Sequence, residues 1–268
     1  MNYANDISRG TKRAILQSIA LSTVEAINNG IVDVSKTQRR TKLYPADTAD
    51  LVNWRKSSGT TSYGWPSSPS RGPINVQILS MSTIEGARHL HSFDRSKKVG
   101  VLNFASATLP GGGFLDGASA QEESIARAST LYVSLTTHIA RPFYALHDKD
   151  EKDPFEVDVL TSPAVNAAKV RKVFHKVPFD EVEARIQEHM KERMARILAL
   201  FEKRGARNLV LGSFGTGTVA RIWRDLLVAP GARFSRSFDN VVFTIPDSNT
   251  RLKFECVFNV QNPIPVQL

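Results

Sequence analysis

Residues 99–127 read "VGVLNFASATLPGGGFLDGASAQEESIAR". The opening "VGVLNFAS" (99–106) is a short apolar run of the kind that forms a strand buried on both faces. Three consecutive glycines follow, and then "SIARASTLYVSLTT", with Ile125, Ala128, Leu131, Tyr132 and Leu135 at helical spacing, predicts a helix beginning near Ser119. A buried strand, a glycine loop and a helix make one building block of a parallel α/β sheet. The same order recurs at "NLVLGSF" (208–214), "GTGT" (215–218) and "VARIWRDLL" (219–227). Glycine lets a backbone approach a ligand and tolerates positive φ, and the free amides at the next helix start favour an anion. Two such loops can hold a diphosphate between them.

Working outward, "INVQIL" (74–79) and "FEVDVLTS" (155–162) read as strands and "TIEGARHLHSF" (83–93) as a helix. The longest helix is expected at Phe179–Arg204, with Val182, Ile186, Met190, Ile197, Leu198 and Phe201 on one face and Gly205 ending it. "NVVFTI" (240–245) and "KFECVF" (253–258) read as two closing strands. Near the start, Ile15, Ile19, Leu21, Val24 and Ile27 mark a helix over Thr11–Asn29 that stops at Gly30, and residues 53–72 form a long Ser/Gly/Thr/Pro-rich loop. No internal repeat interrupts the pattern. The alternation predicts a three-layer α/β/α fold with a mixed, mainly parallel sheet. It forms one structural unit, with residues 1–73 as an N-terminal helical extension on a body of 74–268. Ligands of such sheets bind beyond the carboxyl ends of the strands.

The net charge of +9 suits a phosphate-rich partner. The cations are scattered, however. Arg39, Arg40 and Lys42, and Arg171, Lys172 and Lys176, form short clusters that read as solvated faces, and "DKDEKD" (148–153) as an exposed mixed-sign loop, so direct nucleic-acid binding is not expected. The single cysteine, Cys256, has no partner for an internal disulfide and reads as a buried strand residue. His89 and His91 lack a third ligand at metal spacing, so neither a metal nor a cofactor is called for. No secretory signal or apolar stretch of membrane-spanning length is evident, and an intracellular protein, cytoplasmic or nuclear, is expected.

Familiar phosphate motifs fail. Gly112 and Gly117 have the P-loop glycine spacing, but Ala118 stands where its lysine belongs, and Asp116 breaks a dinucleotide fingerprint begun at Gly111. "LGSFGTG" lacks the nucleophile elbow. Glu122 has a structural reading, as partner of Ser119 in a capping box, which leaves Glu123 unexplained. Adjacent helical residues point about 100° apart, so the two acids do not face each other like an ordinary glycosidase pair, and at most one transfers the proton.

The stretch "LNFASATLPGGGFLDGASAQEESIARASTLY" (102–132), with its GGG-x7-QEE spacing, resembles the signature of poly(ADP-ribose) glycohydrolases. The short bacterial-type branch, also found in fungi, resembles this chain further in "RGTKRAILQSIALSTVEAI", "VDVLTSPAVNAAKVR" and "RMARILALFEKRGARNLVLGSFGTG". The resemblance implies a macrodomain and an ADP-ribose pocket with no cofactor. By it, Glu123 is the catalytic acid that protonates the 2′-oxygen of the ribose–ribose bond and then activates a water. Glu122 holds the leaving ribose, and Asn103 and Gln121 bind substrate. Gly111, Gly112 and Gly113 approach the diphosphate and distal ribose, while Gly215, Thr216, Gly217 and Thr218 form the second diphosphate loop. In the family that loop reads close to "WGCGVFGN", whereas "FGTGTVAR" here puts Val219 where an aromatic packs over the distal ribose. Trp54, Tyr63 and Trp65 are candidates to compensate.

Three functions follow, in order of support. The first is a glycohydrolase acting on poly(ADP-ribose) or ADP-ribosylated proteins from chain ends, as a monomer, with ADP-ribose as product. The second is a macrodomain that binds ADP-ribose without cutting it, motivated by the altered second loop. The third is a basic nucleic-acid protein, motivated by charge alone.

Overall fold

The computed structural model describes residues 3–31, 34–35, 41–55, 72–136, 143–145, 155–214 and 218–259. Gly215, Thr216, Gly217, Tyr63, Trp65, Arg39, Arg40 and the 148–153 stretch lie outside the described residues. The chain falls into two compact units, Met1–Tyr44 with Val99–Pro163, and Pro45–Lys98 with Ala164–Leu268.

The first unit contains α1 (Tyr3–Asn28), β2 (Val99–Ala105), a 3₁₀ turn (Phe114–Asp116), α4 (Gln121–Arg127), α5 (Leu131–Thr136), β3 (Phe143–Ala145) and β4 (Phe155–Pro163). β2 runs parallel to β4, from Gly100 opposite Asp158 to Ala105 opposite Pro163, and β3 lies antiparallel on β4. Val99, Val101 and Leu102 are buried, as the apolar run predicts. α1 is longer than expected, and its buried face is Ala20, Thr23 and Ile27. Ile15, Ile19 and Leu21, expected on the packing face, are exposed. The reason is steric. Ala20 packs directly on Phe114 and Ala126, and a small residue permits that close approach where a large one does not.

The helix expected from Ser119 onward divides into α4 and α5, with Ala128 capping the first. Its start is Gln121 with Ala120 as N-cap and no side-chain cap bond, so the Ser119–Glu122 capping box does not form. A capping box does form at Ser82 and Glu85.

The second unit contains α2 (Ala49–Val52), β1 (Asn75–Leu79), α3 (Thr83–Phe93), α6 (Ala167–Val173), α7 (Phe179–Lys203), β5 (Asn208–Leu211), α8 (Val219–Leu227), β6 (Asn240–Thr244) and α9 (Ser248–Asn259). β6 lies between β1 and β5, parallel to both. At the first register position Asn75, Asn240 and Asn208 stand side by side. Asn75 Nδ2 donates to Asn240 Oδ1 at 3.0 Å, and Asn240 Nδ2 to Asn208 Oδ1 at 2.9 Å. The predicted face of α7 is buried throughout, and Gly205 ends the helix with φ of 76°.

The closing strand "KFECVF" is instead part of helix α9, and Cys256 is exposed. Apolar residues at 252, 254, 256 and 258 satisfy a strand's period, but Phe254 and Phe258 are also one helical turn apart. Tertiary packing selects the helix, because both rings lie against Phe243 of β6, with centroids 5.4 and 5.1 Å away. Trp54 is buried on Phe234 and donates to Glu192 at 2.9 Å.

Candidate active site

β2 delivers Asn103, the glycine loop follows, and α4 begins with Gln121, Glu122 and Glu123. All of these belong to the first unit. Gln121 fastens helix to strand, with Nε2 donating to Leu102 O and Oε1 accepting from Phe104 N, each at 2.8 Å. This pins the first turn of α4, so both glutamates arrive in fixed orientation.

Glu122 is 3% exposed. Its Oε2 accepts from Ser106 N at 2.7 Å, and its Oε1 accepts from Gly111 N at 3.1 Å and from Asn103 Nδ2 at 3.4 Å. Burial pushes its carboxyl above the usual range and the Glu123 charge adds to this, while the three donors pull against them. The carboxylate therefore ties loop to helix, in place of the expected cap.

Glu123 is 7% exposed. Its Oε1 accepts from Gly113 N at 2.9 Å, and its Oε2 is buried with no protein hydrogen-bond partner. Asn103, fully buried, donates through Nδ2 to Thr161 Oγ1 at 3.3 Å, while its Oδ1 likewise has no partner. An unsatisfied buried oxygen is costly in a folded protein and marks a place where a ligand group can complete the bonding.

The glycines are required where the acids converge. Gly111 and Gly112 have φ of 74° and 57°. A Cβ on Gly111 would stand 2.7 Å from the Tyr132 ring, and one on Gly112 would overlap Glu123 Oε1 and lie 3.3 Å from Glu122 Oε2. Bare backbone thus borders both carboxylates from one side. Such a site can present a fixed acid next to a surface of peptide amides, which suits an anionic, hydroxyl-rich ligand.

Residues 20–169, more than half of the chain, match the family described as microbial-type PARG, catalytic domain, PARG being poly(ADP-ribose) glycohydrolase. The chain belongs to this family. The Thermomonospora curvata poly(ADP-ribose) glycohydrolase structure is 29% identical with a TM-score of 0.77, covering 92% of this chain and 100% of that one. The same protein bound to the inhibitor ADP-HPD is 28% identical, with a TM-score of 0.74 over 91% of this chain and 99% of that one. The Deinococcus radiodurans enzyme in complex with ADP-ribose, 24% identical with a TM-score of 0.69 over 86% of this chain and 98% of that one, agrees in fold. No curated protein matches the chain. The chain is a glycosidase-type hydrolase acting on poly(ADP-ribose), and its fold is the α/β/α macrodomain with a mixed, mainly parallel sheet and an N-terminal helix.

Within this PARG-family chain, Asn103, Gly111, Gly112, Gly113, Gln121, Glu122 and Glu123 converge. Thr218 stands at the N-cap position of α8, without a side-chain cap bond, and lines a cleft of about 460 Å³ with Arg221, Leu252, Lys253, Cys256 and Val257. Val219 is fully buried. Ser106, Tyr132, Arg13, Thr23 and Arg127 join the site without having been singled out from the sequence. Only Arg127, four residues after Glu123, carries a local signal. No described helix is long and apolar enough to cross a membrane, and no cluster of three metal-ligating side chains exists among the described residues.

Proposed function

We propose that the chain binds ADP-ribose units and removes them from the ends of poly(ADP-ribose) with Glu123 as the catalytic acid. The Glu123 carboxyl gives its proton to the 2′-oxygen of the leaving ribose as the bond to the anomeric carbon breaks. The oxocarbenium-like centre then takes a water oxygen, and the water's proton returns to Glu123. Glu122 and Asn103 orient the ribose hydroxyls. Gly111, Gly112, Gly113 and Gln121 bind the distal ribose and diphosphate, and Gly215, Thr216, Gly217, Thr218 and Val219 are further substrate-binding residues. Residues 1–73 act as an extension packed on a catalytic body of 74–268, and the protein works as an intracellular monomer without a metal.

One observation carries this reading. The Glu123 carboxylate is buried, anchored through one oxygen by Gly113 N–H, and left with its second oxygen free for a substrate atom. The test is Glu123→Gln, which keeps the shape and removes the acid. Release of ADP-ribose from labelled polymer is lost while ADP-ribose affinity, measured by calorimetry, stays close to wild type. Appreciable residual hydrolysis refutes the assignment.

A further inference from the structure

Seven residues, 114–120, separate the glycine triplet from α4, and their placement sets where Glu123 meets Gly113 N–H. They are gripped from two sides. From α4, Arg127 Nη1 donates to Ala118 O at 2.6 Å. From α1, Arg13 Nε donates to Asp116 O at 2.7 Å, and Gly117, with φ of 73°, lies so close to the Arg13 backbone that no Cβ fits between them. α1 also holds Arg127 itself, because Thr23 Oγ1 donates to Arg127 O at 2.8 Å.

We propose that Arg127 is a positioning residue for the Glu123 reaction, holding the 114–120 loop while setting a fixed positive charge one helical turn from the acid, and that α1 locks this arrangement through Arg13 and Thr23. The inference rests on the reading of Glu123 given above. Burial pulls the Arg127 guanidinium down from its ordinary value and the Glu123 charge pulls it up, yet an arginine keeps its proton in either case. That cation stabilises the carboxylate left on Glu123 when its proton passes to the leaving oxygen, so proton donation is driven forward. Among the described side chains, the other titratable groups on elements packed against α4 are Lys12, Arg13 and Glu25 on α1, Asp116 on the 3₁₀ turn and Tyr132 on α5, with none on β2 and Glu122 on α4 itself.

The test compares Arg127→Gln, which keeps a donor for Ala118 O but removes the charge, with Arg127→Lys, which keeps the charge. Polymer hydrolysis is followed across pH, with thermal melts as the folding control. R127Q lowers kcat about 10-fold or more with little change in KM, and the basic limb of its rate profile moves to higher pH. R127K recovers the wild-type limb and part of kcat. A wild-type limb in R127Q, at any kcat, overturns the role of the charge. Arg13→Gln and Thr23→Val test α1, each lowering kcat about 3-fold or more at unchanged KM. Wild-type kcat in both overturns the role of the helix and stands even where R127Q does not fold. Glu123→Gln separates the two levels: an active E123Q removes the reading of the acid, whereas an inactive E123Q with unaltered R127Q removes this inference alone.

Discussion

Replacing Gly112 with alanine tests whether the acid's position, rather than its presence, sets the rate. The residue has φ of 57°, and an alanine there bears about 1–2 kcal/mol of left-handed backbone strain. The added methyl would lie 3.1 Å from Glu123 Cδ and inside contact of Oε1, and it would also crowd Glu122 Oε2, 3.3 Å away. With ordinary contact near 3.5–4 Å, the Glu123 carboxylate must retreat by about 1 Å. A misplacement of that size costs about 100-fold in rate, or about 2.7 kcal/mol of barrier. The strain alone lowers the melting temperature by roughly 2–8 °C. Gly205→Ala supplies the comparison, because Gly205 has φ of 76° and an added methyl there would meet nothing within 4 Å. The assay is ADP-ribose release from labelled polymer beside a thermal melt of each variant. G205A melts lower at full activity, and G112A melts lower with activity nearly gone. Wild-type turnover in G112A, or equal losses in both, refutes the reasoning.

Two further outcomes concern stability. Glu122→Gln turns one acceptor oxygen into a donor facing either Ser106 N–H or Gly111 N–H, so at least one bond to a charged acceptor, worth about 1.5–3 kcal/mol, is lost. Because the folded protein holds the Glu122 proton more tightly than the ordinary 4.5, its contribution to stability is full below that value and lost as pH rises through the higher folded value. The stability gap between wild type and E122Q in urea titrations therefore widens as pH falls from neutrality, and a gap independent of pH contradicts the raised carboxyl. Asn240→Ala breaks both links of the asparagine row and leaves the buried Asn208 Oδ1 without the Asn240 Nδ2 donor, costing about 2–3 kcal/mol. An unchanged melting temperature shows that the row is dispensable.

Much of the site was legible because its chemistry is local. The GGG-x7-QEE spacing lies in one loop between one strand and one helix, so the residues that converge are also close in sequence. Their supports are not. Arg13 meets Asp116 and Thr23 meets Arg127 across more than 100 residues, and no short-range pattern records either bond. The same limit governs Glu122, whose spacing from Ser119 fits a cap until the helix starts two residues later and its carboxylate turns to Ser106 and Gly111.

By itself the sequence determined the alternation of buried strands and helices, the glycine turn at 111–113 and the pair of acids, since hydrophobic period and glycine's freedom act over a few residues. The tertiary structure alone decided that "KFECVF" coils onto Phe243 with Cys256 outward, and that the small face of α1, rather than its isoleucines, meets the catalytic loop. In both cases two local patterns were nearly balanced, and the fit of one surface against a distant partner, which no short window contains, tipped the choice.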